Sequence, residues 1–147
     1  MTDAVVVDAS VAIKWLVEEP YSDEARTLLR DALTGYRDIF VPPLLPSEVT
    51  NAIFQQQRRA RISAAEGDAA LAGLFTIPLQ LMAPDTLYRD ALDLARRFGL
   101  PATYDSQYLA LARALDADFW TADRRLFNAI PRSFKRAHWI GDYQIGT

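Results

Sequence analysis

Apolar positions along the chain follow two rhythms. Short continuous runs occur at Ala4–Val7 and at Ile39-Phe40-Val41. A weaker run is Leu79-Gln80-Leu81-Met82, and two more are Asp118-Phe119-Trp120-Thr121 and Ala137-His138-Trp139-Ile140. Strands covered on both faces of a parallel sheet read as such runs rather than as strict alternation. Between the runs, apolar residues recur at helical spacing. Ser22 is placed to cap a helix through Leu33, with Ala25, Leu28, Leu29, Ala32 and Leu33 on one face and Gly35 ending it. Pro42, Pro43 and Pro46 mark an irregular entry into a helix ending near Arg61. Ser63 to Phe75 reads as another helix, with Ser63 and Glu66 matching a capping box. Asp85 is placed to cap a helix ending at Phe98-Gly99, Thr103 begins one running to Leu115, and Asp123 begins a short helix stopped by Pro131.

Strands alternating with helices predict parallel pairing and a three-layer α/β/α domain. No repeat, low-complexity tract or linker interrupts the pattern, so residues 1–147 are expected to form a single domain, with the segment after Ile140 peripheral. In open sheets of this kind, ligands sit beyond the carboxyl ends of the strands.

Composition changes the picture by exclusion. The chain has 147 residues, 50% hydrophobic and 24% charged, as in an ordinary globular domain. It has no cysteine, which removes disulfides, zinc-thiolate sites and thiol catalysis. A net charge of -3 argues against coating nucleic acid through bulk charge, though it leaves a nuclease open. The start, Met1-Thr2-Asp3-Ala4, has neither the basic nor the long apolar stretch of a signal peptide. No apolar run approaches the ~20 residues that span a bilayer, so a cytoplasmic location without a membrane is expected.

Four acids occupy suggestive places. Asp8 follows the first apolar run and precedes the helix-like stretch Val11–Leu16; Asp123 lies just past the fourth run. Both therefore sit at the ligand edge of the expected sheet. Glu48 and Asp105 lie near the starts of two helical segments. Taken alone, each is equally an N-cap or first-turn acid favoured by the helix dipole. Taken together they carry a cost. Two carboxylates ~5 Å apart at an effective dielectric of ~20 repel by about 3 kcal/mol. A divalent cation relieves that repulsion, and hard cations such as Mg²⁺ prefer oxygen ligands. Ser10 is placed to orient Asp8 or bind water, Asn51 shares a helix face with Glu48 and is placed to brace it, and Thr121 is placed to orient water near Asp123. Arg124 or Arg125 is placed to balance charge or reach a substrate phosphate.

Other chemistry finds less support. His138 is the only histidine, so His-His metal motifs are impossible; it reads as structural. Ser10 has no evident histidine base for a triad. Neither G-x-x-x-x-G-K-[ST] nor G-x-G-x-x-G occurs. Arg58, Arg59 and Arg61 read as a solvated helix end, as do Arg132, Lys135 and Arg136, and the three tryptophans as core or interface.

Four segments then carry a resemblance. They are Val6-Val7-Asp8-Ala9-Ser10 with Lys14-Trp15; Glu48 with Asn51; Tyr104-Asp105 followed by Tyr108-Leu109-Ala110-Leu111-Ala112; and Thr121-Ala122-Asp123-Arg124-Arg125-Leu126. In this order the chain resembles the PIN-domain ribonucleases, and more narrowly the VapC toxins of toxin–antitoxin modules. One departure is Ser106-Gln107, where a small apolar residue commonly follows the aspartate. The resemblance implies a parallel sheet of about five strands and makes Asp8, Glu48, Asp105 and Asp123 the catalytic and metal-binding acids. Ser10, Asn51 and Thr121 become their polar support. It also implies Mg²⁺- or Mn²⁺-dependent endoribonuclease activity on RNA, a homodimer, and a cognate VapB-type antitoxin. The antitoxin is expected in a groove near Leu16, Leu28, Leu29, Leu45 and Ile53. Two alternatives remain at this point: a catalytically idle PIN-like binding partner, and an α/β phosphatase with Asp8 as nucleophile. The lack of an Asp-x-Asp arrangement at Asp8 weakens the second.

Overall fold

A computed structural model describes residues 3–146. Five strands, β1 (Ala4–Val7), β2 (Asp38–Val41), β3 (Leu79–Leu81), β4 (Asp118–Thr121) and β5 (Ala137–Trp139), form one sheet in the order β3-β2-β1-β4-β5. Every neighbouring pair is parallel, with Val5 opposite Ile39 on one side and Asp118 on the other. The strand richest in apolar residues is the central one. All four residues of β1 are buried, because a middle strand has partners at both edges and helices on both faces. The flanking strand β3 is shorter and mostly exposed, as suits an edge.

Seven helices connect the strands: α1 (Ala9–Leu16), α2 (Ser22–Thr34), α3 (Leu45–Arg58), α4 (Ala64–Leu74), α5 (Leu87–Phe98), α6 (Tyr104–Leu115) and α7 (Arg124–Ala129). Helix α1 packs on α2, α3 and α4, while α5 packs on α6, which lies on β1 and β4. The chain runs outward from β1 to β2 and β3, then returns across the sheet to β4 and β5. With right-handed crossovers the two helix groups cover opposite faces, completing three layers. The reversal also creates a switch point between β1 and β4. In open sheets of this kind such a reversal is where ligands bind, beyond the carboxyl ends of the strands. Among the described residues no helix is long and apolar enough to cross a membrane.

All five apolar runs are strands, and the expected helices are present within a few residues of their anticipated ends. Ser63 and Glu66 do form a capping box. Gly99 ends α5 with φ +65, a backbone region that glycine adopts without Cβ strain. Two caps differ. Ser22 lies inside α2, buried, and its hydroxyl accepts from the Glu19 amide at 2.9 Å and donates to the Val17 carbonyl at 3.3 Å. The N-cap is Tyr21, in the left-handed region at φ 69, with its ring against Trp139. Asp85 is displaced by Thr86, which caps α5 without a side-chain bond. The segment after Ile140 is also held more firmly than expected. Ile140 is fully buried, Tyr143 packs edge-on to Trp120, and the Tyr143 hydroxyl donates to Asp31 at 2.6 Å.

Candidate active site

Each of the four acids stands at a helix amino end. Asp8 is the N-cap of α1 and Asp123 the N-cap of α7; Glu48 and Asp105 lie in the first turns of α3 and α6. The local reason is ordinary capping chemistry: the Asp8 carboxylate accepts from the Val11 amide and Asp123 from the Leu126 amide. The tertiary result is that Asp8 and Asp123 flank the switch point between β1 and β4.

Two hydroxyls bind this point together. Ser10 donates to Asp8 Oδ1 at 2.5 Å, and Thr121 donates to Asp8 Oδ2 at 2.5 Å. Ser10 Oγ also accepts the Ala122 amide at 2.8 Å, and Thr121 Oγ1 accepts the Asp123 amide at 3.0 Å. The turn after β1 and the turn after β4 are thus joined through side chains, with the carboxylate of Asp8 enclosed between them. Thr121 bears on Asp8 as well as on the Asp123 backbone.

Electrostatics connect all four acids. Burial pushes the Asp8 carboxyl up to about 7, against the pull of the Ser10 and Thr121 hydrogen bonds, and the charge of Asp105 adds to the rise. Burial also pushes Asp105 up to about 6, helped by the negative charges of Asp123 and Glu48. Among the described residues no lysine or arginine forms an ion pair with any of the four. Nor do any three described acidic side chains lie close enough to enclose a cation as they stand. The four are electrostatic neighbours, short of a finished cage.

Glu48 has a partner that the sequence reading missed. The Tyr108 hydroxyl donates to Glu48 Oε1 at 2.6 Å from a fully buried ring. Burial, the bond to Glu48 and the carboxylates of Glu48, Asp8 and Asp105 all drive Tyr108 ionisation upward, so it remains a donor. In the sequence Tyr108 stands out only as part of the segment that follows Asp105. Its one sequence signal is its spacing from Asp105, nearly one helical turn on. Asn51, expected to brace Glu48, does not do so. It is exposed, and its Oδ1 accepts from Gln55 at 3.5 Å. A helical offset of three puts the two side chains side by side without making them meet.

Two basic residues of the matching segments are otherwise engaged, while Arg125 is exposed. The Arg124 guanidinium lies 4.0 Å from the centre of the Trp139 ring. Lys14, inside a segment that helped carry the resemblance, is buried and pairs with Glu19 at 3.1 Å, while Gln56 donates to the other Glu19 oxygen. The groove expected near Leu16 also needs correcting: Leu28, Leu45 and Ile53 belong to the hydrophobic core, because α2 and α3 turn those positions inward. Leu16 instead lines a cleft with Glu18, Pro20, Arg61 and Ile62.

A parallel five-stranded sheet with acids gathered at its switch point defines an α/β class, and comparison with known proteins narrows it. The family model for the PIN domain matches residues 5–132. The VapC ribonuclease Mb0985 of Mycobacterium bovis is 32% identical over 122 residues, covering 83% of this chain and 87% of that protein. Ribonuclease VapC3 of Pyrobaculum aerophilum is 29% identical over 128 residues, covering 86% and 94%. The crystal structure of PAE2754 from Pyrobaculum aerophilum superposes with a TM-score of 0.68 at 20% identity, over 94% of this chain and 90% of that one, a likeness of fold. The chain belongs to the PIN-domain family, among its VapC-type ribonucleases.

Proposed function

We propose that this VapC-type endoribonuclease hydrolyses RNA phosphodiesters with a divalent cation, Mg²⁺ or Mn²⁺, held by Asp8, Glu48, Asp105 and Asp123. The observation that carries the proposal is the uncompensated acidity at the switch point: among the described residues no lysine or arginine pairs with any of the four acids, and burial raises Asp8 to about 7 and Asp105 to about 6. The donor set fits a hard cation, being made wholly of carboxylate and hydroxyl oxygen. When bound, the cation supplies Lewis acidity that makes water a competent nucleophile near neutral pH and offsets charge on the phosphate.

The residues of the chain do the rest. Asp8 is fixed by Ser10 and Thr121, so its free lone pairs face a defined direction. Tyr108 fixes Glu48 in the same way. Asp105 and Asp123 are half-buried, and Asp105, raised to about 6, is suited to accept a proton released at the site. The product ends expected from the family are a 5′-phosphate and a 3′-hydroxyl.

The proposal extends to a single domain over residues 1–147, working in the cytoplasm as a homodimeric toxin restrained by a VapB-type antitoxin. Support for the toxin role comes from the VapC-type relatives. The test of mechanism is RNA cleavage by the purified protein before and after EDTA, with Mg²⁺ or Mn²⁺ added back. Cleavage that persists after complete metal removal rejects it. Co-expression with the protein encoded next to this one tests the partner, and failure of that neighbour to bind or inhibit rejects the toxin pairing.

A further inference from the structure

Beside the acids lies a cleft of about 330 Å³ lined by Ala9, Leu44, Ser47, Glu48, Asn51 and Tyr104. The proposed cleavage uses only one of these, Glu48. The other polar groups have no evident structural task. Tyr104 is the first residue of α6, directly before Asp105, yet its ring is 59% exposed. An aromatic ring in that position gives up apolar burial that the core would have rewarded. Asn51 is exposed at the same cleft, with a single long bond to Gln55. The cleft therefore offers a flat aromatic face, two small apolar walls at Ala9 and Leu44, and a hydroxyl and an amide that each both donate and accept.

That combination matches one ligand chemistry. Sequence-selective RNA binding works on unstacked bases, which lie on aromatic side chains and are read along their hydrogen-bonding edges. We propose that this cleft receives a nucleobase of the RNA adjoining the scissile phosphate, with Tyr104 as its stacking face and Ser47 and Asn51 reading its edge. The inference rests on the ribonuclease reading above and deepens it, because Glu48 is shared between the cleft and the acidic site. Asn51 becomes a specificity-determining residue rather than a brace for Glu48.

The test separates base binding from chemistry. Binding of a fluorescein-labelled single-stranded RNA of mixed sequence is followed by anisotropy in EDTA with the full chain. Tyr104→Ala is expected to weaken binding by about 5- to 100-fold, the usual effect of removing one stacking partner. Tyr104→Phe is expected to keep near wild-type affinity, and thermal melts of both variants are expected to match the parent. In Mg²⁺, Tyr104→Ala is expected to raise KM more than it lowers kcat. Asn51→Ala and Ser47→Ala are expected to broaden the base distribution beside the cut, read by sequencing RNA ends. Equal affinity of wild type and Tyr104→Ala, or no binding by the wild type together with an unchanged KM for Tyr104→Ala in Mg²⁺, overturns the inference. Tyr104-dependent binding by a chain that cleaves no RNA with Mg²⁺ or Mn²⁺ upholds the cleft and overturns the ribonuclease reading instead.

Discussion

The two ends of the central strands handle negative charge in opposite ways. At the amino end of β4, Asp118 is met by Arg136 at 3.2 Å, His138 at 3.0 Å and Arg37 at 3.6 Å. Burial alone would raise its pKa, but the His138 and Arg136 hydrogen bonds and the charge of Arg136 outweigh that and hold it below the usual carboxylate range. At the carboxyl end of β1, Asp8 is met by hydroxyls and by other acids, and burial raises it to about 7. Both aspartates are hydrogen-bonded, so satisfaction of polar atoms does not distinguish them. Countercharge does. An acid supplied with cations by its own chain is part of the scaffold, whereas a buried acid left without them is poised for a cation from outside.

The largest test of this contrast is Asp8→Asn. It is expected to lower single-turnover RNA cleavage by more than about 100-fold, the upper range seen when metal-site support is lost. The fold should survive, because the amide is isosteric and removes a buried charge; circular dichroism and a thermal melt check this. Unchanged cleavage would place Asp8 with Asp118 among scaffold acids.

Stability against pH should separate the two ends next. Asp8 has a raised folded pKa, so its contribution is fully present below the unfolded value of 3.8 and is lost as pH rises through about 7. The metal-free protein should therefore lose on the order of 3 kcal/mol from this group between mildly acidic and alkaline pH. Asp105 loses its share as pH rises through about 6. Asp118 has the opposite sign: its contribution is present above 3.8 and fades only as pH falls through its lowered folded value. Urea titrations in EDTA at several pH values read both limbs. Added Mg²⁺ should restore stability on the alkaline side, where the acids are ionised and able to bind it. A flat profile, or no response to Mg²⁺, breaks the comparison.

Smaller effects sharpen it. Tyr108→Phe removes the donor that holds Glu48 and is expected to cut kcat about tenfold at a stability cost of about 1 kcal/mol. A loss of stability without loss of kcat would mean that Glu48 needs no positioning. Asp118→Asn should leave cleavage unchanged and cost only about 0.5–1 kcal/mol, because the pair is partly exposed and screened by solvent. Chemical denaturation and the same cleavage assay measure both.

Much of this molecule is legible in its sequence, for identifiable reasons. Val5, Val6 and Val7 announce a strand buried on both faces, and Asp8 and Asp123 announce helix caps, because both signals are local. Tyr108 escapes a sequence reading and Asn51 misleads it for a shared reason. Whether a residue in a helix meets a carboxylate 60 positions away, as Tyr108 does, depends on how α3 and α6 pack. The resemblance implied a docking groove at Leu28, Leu45 and Ile53, and the sequence could not correct it, because an apolar helix face looks the same whether it meets the core or a partner. Tyr143 holds down the chain end through Trp120 and Asp31, contacts that no local pattern encodes.

By itself the sequence determined which segments become strands and helices and which acids begin those helices, since hydrophobic spacing and capping act over a few residues. The tertiary structure alone decided that the crossover reverses between β1 and β4, bringing Thr121 onto the carboxylate that Ser10 already holds and gathering four acids that no described lysine or arginine pairs with. That outcome depends on strand order and long-range packing, where charges far apart along the chain are made to share a small volume of low dielectric.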